Sequence, residues 1–468
     1  MQQNIMENFS ELATVLDGKL LRIEEIPFKS TMIELLLSKK LLDTKPAITK
    51  TLLTTTCKRC GNKDNRYFAE IPCKKCSRTH LYCRKCIEMG RVMECESLYY
   101  WIGPPAIWPT HQNPSSWEGT LTTAQEKAAN RIKTAIINQE KEILVWAVCG
   151  AGKTEMLFPG ISKALERGMR VCLATPRADV VKELKPRLLQ AFEGVSIQAL
   201  YGGNEDKGKD AQFVIATTHQ LLRYQSAFDV MIVDEVDAFP FHADPSLPFA
   251  QKRAAKQNGT TIYLTATPRQ NLKKAINRKK LPHVFVPVRY HGHPLPIPTL
   301  KMCYSLQKDL AASRAPSRFL PWLLKRTNPE RQLLIFVPTI DLVNRLKTPL
   351  LDLFIAHRLI KNETELVAVD ASDEKREEKV MAFRQKKLKV ILTTTILERG
   401  VTFPSVDVAI FHAGHDVFDE AALVQIAGRA GRNANDPNGE VVFFHDGKTE
   451  AMLEAIYQIK QMNKRGGF

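Results

Sequence analysis

From residue 121 onward the chain alternates short apolar runs with longer stretches in which apolar residues return every three or four positions. The runs lie at 143–148, 171–174, 213–217, 230–233 and 262–264. A short continuous apolar run bounded by turn residues is the pattern of a strand buried on both faces. The stretches between them, 153–167 and 178–192 among them, read as amphipathic helices. Strand and helix in strict alternation predict a parallel sheet covered by helices. Prolines 282, 287, 294, 296 and 298 break the pattern. A second series follows at 333–337, 366–369, 390–393, 406–411 and 441–444. The expected architecture is therefore two consecutive α/β domains, 119–288 and 289–468.

Ahead of them the texture differs. Residues 1–56 mix apolar and charged segments, with a short helix expected over 32–40 and no recognisable chemistry. Residues 57–100 hold seven of the ten cysteines, and 101–118, rich in Pro, Trp and polar residues, read as a linker. With 468 residues, 44% hydrophobic and 25% charged, the composition is that of a globular protein with room for about three domains. No run approaches the ~18 apolar residues of a membrane helix. The start of the chain, with Glu7 and Glu11, lacks the basic and apolar regions of a secretory signal, so a cytoplasmic protein is expected. The net charge of +17 favours polyanionic partners, a criterion that nucleic acid and anionic lipid headgroups both meet.

The segment A-V-C-G-A-G-K-T, 147–154, follows the first apolar run and precedes a helical stretch. Strand, glycine loop and helix is the setting in which backbone N–H groups wrap a phosphate, here those of Gly150, Ala151, Gly152 and Lys153. Lys153 would neutralise β- and γ-phosphate charge, and the Thr154 hydroxyl would ligate Mg2+. Ala147 stands where the strict loop has glycine. The run 230–233 ends in D-E-V-D, 234–237. Carboxylates at a strand's carboxyl end lie at the lip of such a sheet. Asp234 would hold Mg2+ through water, and Glu235 would orient and deprotonate the attacking water. Gln125, after a helix start at Thr122, offers a donor and an acceptor that suit an adenine edge, or is an ordinary helix residue.

The second domain carries charge as well. Q-I-A-G-R-A-G-R, 425–432, places Arg429 and Arg432 among glycines that permit close approach. They are expected to act on the γ-phosphate as arginine fingers. Gly400, in T-T-I-L-E-R-G-V-T at 394–402, would sense nucleotide, and Thr265-Ala266-Thr267 would couple hydrolysis to closure.

Taken in order, the phosphate loop, A-T-P-R (174–177), A-T-T-H-Q (216–220), D-E-V-D, T-A-T, L-I-F-V-P-T (334–339), the 394–402 segment and Q-I-A-G-R-A-G-R resemble the motif set of superfamily 2 helicases. The resemblance implies two tandem RecA-like domains that bind and hydrolyse ATP. It also implies that Thr175, Arg177, Thr217, Thr218, Thr339 and Thr394 line a track for a single strand's phosphates. Thr402 stands where many relatives carry Asp, which puts one contact in doubt, and Ile426 where many carry a further Arg.

D-E-V-D-A-F-P, T-T-I-L-E-R-G-V-T-F-P, F-F-H-D-G and Y-C-x-x-C-I-x-M-x-R narrow the resemblance to the ComFA family of competence ATPases. That implies an ATP-dependent motor on single-stranded DNA that drives DNA uptake in natural transformation. The implied partners are a ComFC-like protein, a DprA-like single-strand-binding protein and the membrane uptake channel, with self-association into a homo-oligomer. The implied place is peripheral, at the inner face of the membrane. The residues also fit an ATP-regulated DNA-binding scaffold without sustained translocation, or a helicase of another pathway.

Cysteines kept in a reducing compartment point away from disulfides and toward metal. Cys57/Cys60, Cys73/Cys76 and Cys83/Cys86 form three C-x-x-C pairs, and any two complete a closed tetrahedral Zn2+ site of structural type. The family resemblance selects Cys57, Cys60, Cys83 and Cys86, leaving a second, partial site open to Cys73 and Cys76 with His80 or Cys95. Residues 57–91 hold ten Lys/Arg against three Asp/Glu. Tyr67, Phe68 and Tyr82 suit either base stacking or a small core. The expected fold class is thus α/β, two RecA-like parallel-sheet domains behind a small N-terminal zinc-binding module.

Overall fold

A computed structural model describes residues 10–203 and 210–468. The chain forms two compact units: Met1–Val145 with Thr154–Thr265 and Leu272–Val284, and Trp146–Lys153 with Ala266–Asn271 and Phe285–Phe468.

The first sheet has seven strands, in the order Ile197–Leu200, Phe213–Thr217, Val171–Thr175, Phe228–Val233, Ala255–Thr265, Glu142–Ala147 and His283–Val286. Every residue of Val171–Thr175 and Phe213–Thr217 is buried, which is why these strands appear in the sequence as unbroken apolar runs. Parallel registry sets Thr217 beside Thr175 and Val233 beside Ala174, so the loops that follow these strands open at one edge of the sheet. The second sheet has six parallel strands, in the order Thr299–Met302, Val441–His445, Val406–Phe411, Gln332–Phe336, Val390–Thr393 and Leu366–Val369. Its aliphatic core holds an aromatic cluster: Phe319 meets Phe411 edge-on at 4.8 Å and Phe444 at 5.9 Å.

All ten expected runs are strands. Ile197–Leu200, His283–Val286 and Thr299–Met302 are additional, and each lies at a sheet edge. The helix expected from 153 begins as α-helix only at Phe158, after a 3-10 turn Glu155–Leu157. Pro159, which lacks an N–H, is confined to the first turn of a helix and sets that start.

The N-terminal segment and the cysteine segment fold together. Leu42–Pro46 pairs antiparallel with Ser97–Trp101, and Ile48–Lys50 pairs with Thr55–Cys57. Phe68–Pro72, Thr79–Cys83 and Val92–Met93 make a three-stranded antiparallel sheet. This module shares its core with the first α/β sheet: Cys57, Cys83, Val92 and Leu98 belong to one buried cluster with Leu221, Phe228, Leu247 and Ala250.

Glu25 ties the first unit together. It accepts from Arg59 at 2.7 Å and from Arg223 at 3.0 Å, and the Arg59 side chain is 0% exposed. Burial pushes the Glu25 carboxyl up, but Arg59, the Arg22 N–H and Arg223 outweigh it and hold the group below the ordinary carboxylate value. Its stabilisation is therefore complete above the unfolded pKa of about 4.3 and is lost as pH falls through the lower folded value. Glu25→Ala strands a buried guanidinium and is expected to cost roughly 3–5 kcal/mol at neutral pH. Urea denaturation measures this, and the difference from wild type should shrink in acid.

Candidate nucleotide site and cysteine module

The phosphate-loop segment turns on two left-handed glycines, Gly150 at φ +80° and Gly152 at φ +68°, with the Ala151 N–H donating to Val148 O at 3.1 Å. Alternation of this kind points successive N–H groups to one side, the geometry of an anion nest. Lys153 and Thr154 follow, each half-buried. Within the second unit, Cys149 Sγ donates to Gln425 Oε1 at 3.1 Å, and a Cβ on Gly428 would fall 2.4 Å from Cys149 Cβ. The glycine at 428 is what allows that approach.

At the end of Phe228–Val233 the Asp234 N–H donates to Ala174 O at 2.8 Å, and Asp234 Oδ1 accepts from the Glu235 N–H at 2.9 Å. Glu235 has φ +54°, and its Oε2 is buried with no hydrogen-bond partner among the described residues. A left-handed non-glycine residue with an unsatisfied buried carboxylate oxygen is costly on both counts. Such a residue is tolerated where a ligand or water completes it. Two residues on, Asp237 Oδ1 accepts from the Thr265 hydroxyl at 2.5 Å, and both side chains are fully buried. This bond joins the D-E-V-D loop to the T-A-T strand end, a link that neither motif reveals alone.

Gln125 is the third helical residue of Thr123–Ile137, and it is buried. Its Oε1 accepts from the Thr122 N–H at 2.8 Å while its own N–H donates to Thr122 Oγ1 at 3.3 Å, completing a capping box. Arg429 is buried, with Nε donating to Glu398 O at 2.9 Å and the rest of the guanidinium reaching Glu398 O and Val401 O. Arg432 donates to Gly428 O at 2.9 Å and to the Thr402 hydroxyl at 3.2 Å. Thr402 thus receives an arginine. Gly400, at φ +72°, forms the turn between Glu398 and Thr402 that these arginines hold.

The track residues are placed unevenly. Thr175 and Thr218 are fully buried, with hydroxyls that lack a partner among the described residues. Thr217 and Thr394 are buried, at 7% and 8% exposure. Arg177 pairs with Asp179 at 2.8 Å, and Thr339 caps the helix Ile340–Ala356 by accepting from the Leu342 N–H at 3.2 Å.

In the module, the sulfurs of Cys57, Cys60, Cys83 and Cys86 lie within 4.8 Å of one another, and all four residues are buried. Cys57 and Cys86 are 3.8 Å apart, and Cys60 and Cys83 are 3.5 Å apart. Zn–S bonds of ~2.3 Å in a tetrahedron put sulfurs roughly 3.8 Å apart, so the donor set fits zinc. Hydrogen bonds from Cys60, Cys83 and Cys86 push the Cys57 thiol far down, while Cys60 and Cys86 are driven up by their neighbours. Only a bound cation would let all four sulfurs ionise together. The tetrad is fastened to the α/β domain: Arg253 donates to Lys58 O at 3.1 Å, to Leu222 O at 2.8 Å, to Tyr224 O at 3.0 Å and to Arg59 O. Lys85 pairs with Asp244 at 2.8 Å, in the loop that follows D-E-V-D.

Paired parallel-sheet domains bearing these loops at their strand ends define a class. Residues 118–270 match the type III restriction enzyme res subunit and residues 316–434 match the helicase conserved C-terminal domain, so the chain carries the ATPase domains of a superfamily 2 helicase. Such domains imply ATP and Mg2+. The fold is shared with the Mycobacterium smegmatis helicase Lhr bound to ssDNA and AMP-PNP: TM-score 0.52, 17% identity, covering 74% of this chain and 50% of that one. The architecture is α/β with two RecA-like domains, as expected.

Residues 4–100 match the competence protein ComFA N-terminal domain. The chain is 43% identical to competence protein ComFA of Bacillus subtilis (strain 168), covering 97% of this chain and 95% of that protein. It is 40% identical to competence protein ComFA of Streptococcus pneumoniae (strain ATCC BAA-255 / R6), covering 84% and 91% respectively. The chain belongs to the ComFA family. Among the described residues no helix is long and apolar enough to cross a membrane.

Proposed function

We propose that this protein is a nucleic-acid-stimulated ATPase that translocates on single-stranded DNA and drives its uptake in natural transformation. The observation that carries the reading is Glu235, a strained carboxylate with an unsatisfied buried oxygen at the end of its strand. It suits a general base that orients and deprotonates the water attacking ATP. Lys153 and the N–H groups of Gly150, Ala151 and Gly152 would take the phosphates. Thr154 and Asp234 would hold Mg2+, Gln125 the adenine, and Gly400 would sense the bound state. Arg429 and Arg432 would stabilise charge on the γ-phosphate, and freeing Arg429 from the carbonyls of Glu398 and Val401 would be part of that step.

The single strand would run along Thr175, Arg177, Thr217 and Thr218 of the first α/β domain and Thr339 and Thr394 of the second. Because the Thr175 and Thr218 hydroxyls are enclosed, this track requires the strand ends to open. The boundaries at 56, 100, 118 and 288 stand as the working organisation, with the segments on either side of 56 folding against each other. The uptake channel, a ComFC-like protein and a DprA-like protein are the partners this role calls for, at the inner face of the membrane.

ATP turnover measured with single-stranded DNA, duplex DNA, RNA or no nucleic acid, at fixed ionic strength, tests the reading. Single-stranded DNA is expected to stimulate most, and the stimulation should weaken as salt rises. Equal turnover in all four conditions, or preference for RNA, would sink it. Displacement of streptavidin from a biotinylated strand end separates a motor from a scaffold that binds DNA and moves nothing.

A further inference from the structure

Three cysteines lie outside the tetrad in the same module, and they also converge. The sulfurs of Cys73, Cys76 and Cys95 lie within 4.8 Å of one another, with Cys73 and Cys95 3.7 Å apart. Packing does not explain this, because Cys76 and Cys95 are exposed and add nothing to the core.

The loop that carries Cys73 and Cys76 repeats the hydrogen bonding of the loop that carries Cys57 and Cys60. In the tetrad loop the Cys57 N–H donates to Asn62 O at 3.0 Å and the Gly61 N–H donates to Cys57 O at 2.9 Å. In the other, the Cys73 N–H donates to Arg78 O at 2.8 Å and the Ser77 N–H donates to Cys73 O at 2.9 Å. The residue after the second cysteine is left-handed in both, Gly61 at φ +73° and Ser77 at φ +54°. Ser77 adopts this conformation without glycine's freedom, so the surrounding hairpin imposes it. The hairpin is Phe68–Pro72 against Thr79–Cys83, which turns through the loop and brings His80 back beside it.

His80 stands beside one of these sulfurs. Its Nε2 lies 3.1 Å from Cys76 Sγ, and its Nδ1 lies 4.0 Å from Glu94 Oε2. At 4.0 Å the carboxylate is beyond hydrogen-bond distance of Nδ1; on metal binding, closing that gap would give the outer carboxylate that orients a metal-binding histidine. Glu94 adjoins Cys95 and is itself held by Lys50 at 2.9 Å and by the Leu81 N–H at 3.2 Å.

We propose that Cys73, Cys76, Cys95 and His80 form a second zinc site, of Cys3His type, on the exposed side of the module. All four positions are filled by protein, so the site is structural: it pins the 73–78 hairpin tip to the 94–96 turn. The proposal is independent of the ATPase reading.

The test is metal content. Full-length protein purified without chelator is analysed for zinc by mass spectrometry, alongside Cys73→Ser/Cys76→Ser and Cys83→Ser/Cys86→Ser. Two zinc ions per chain are expected in wild type, falling to one in Cys73→Ser/Cys76→Ser. Glu94→Gln should keep the stoichiometry but release one ion roughly 10–100-fold more readily to a competing chelator. One zinc in wild type, lost only with Cys83→Ser/Cys86→Ser, overturns the proposal, as does a disulfide among Cys73, Cys76 and Cys95. One zinc lost only with Cys73→Ser/Cys76→Ser would uphold this site while removing the assignment of the tetrad.

Discussion

Lys153→Ala is expected to reduce ATP hydrolysis by at least roughly 10²–10³-fold, the scale of removing one preorganised charge-stabilising donor, while the chain stays folded. The physical case rests on where Lys153 sits. It follows a loop whose left-handed glycines, Gly150 and Gly152, shape the backbone into a nest, and its side chain is half-buried rather than part of either core. Removing it opens no cavity among apolar residues, so the melting temperature should stay near that of wild type. On the proposed reading, what would be lost is the cation that offsets phosphate charge as the γ-phosphoryl group departs. Phosphate release measured with saturating single-stranded DNA, beside a thermal melt of the same preparation, checks both halves. Wild-type turnover in the variant would mean that this loop is not where ATP is hydrolysed, and the functional reading would fall with it.

How much of this was legible beforehand depends on whether a feature is local. Nine central strands and the edge strand Leu366–Val369 were readable because each is a predominantly apolar run. Ile197–Leu200, His283–Val286 and Thr299–Met302, the other three edge strands, were not, because four residues that include Gln198, His283 or Lys301 give no apolar run. The last two also lie among prolines that read as a boundary. The phosphate loop and D-E-V-D were legible as motifs, but the Thr265–Asp237 bond was not, since it joins residues from different strand ends. In sequence, Gln125 fits either an adenine contact or an ordinary helix residue. Its place in the capping box with Thr122 shows a local task that the spacing T-x-x-Q does encode. Arg429 was read from its motif as a cation for the phosphate, and its burial under the 398–402 turn could not be read from spacing. Cys95 has no C-x-x-C partner, so only the fold of the hairpin brings it to Cys73. The largest thing the sequence concealed is how the cysteine half of the module is joined to the α/β domain, while Leu16, Ile33, Leu36, Leu42 and Trp101 form a separate cluster at its other end: Glu25, Arg59, Arg223 and Arg253 look like solvated charges in the chain and are fasteners in the fold.

That last point sets the second large effect. Cys83→Ser/Cys86→Ser is expected to unfold the cysteine module and to lower the thermal stability of the whole first unit. Two of the four sulfurs are lost from a cluster whose members are all buried and lie within 4.8 Å of each other. A structural zinc ion contributes an apparent ~10–16 kcal/mol in small domains that cannot fold without it. A free-standing module would melt alone and leave the ATPase untouched. Here Cys57, Cys60, Cys83 and Cys86 share one buried cluster with Phe228, Leu247 and Ala250 of the α/β domain. Arg253 bonds the carbonyls of Lys58 and Arg59, and Lys85 holds Asp244, nine residues beyond Glu235 in the loop that follows it. Loss of the tetrad therefore reaches the D-E-V-D loop through its flank. The variant should show early proteolysis between 57 and 95, a melting temperature several degrees lower and a weakened ATPase, with the same order of effects when wild type is stripped by a chelator. A variant that keeps both the melting temperature and the turnover of wild type would show that the four sulfurs are merely packed, and that the module's hold on the ATPase domain rests on the Glu25, Arg253 and Lys85 contacts and the shared apolar cluster.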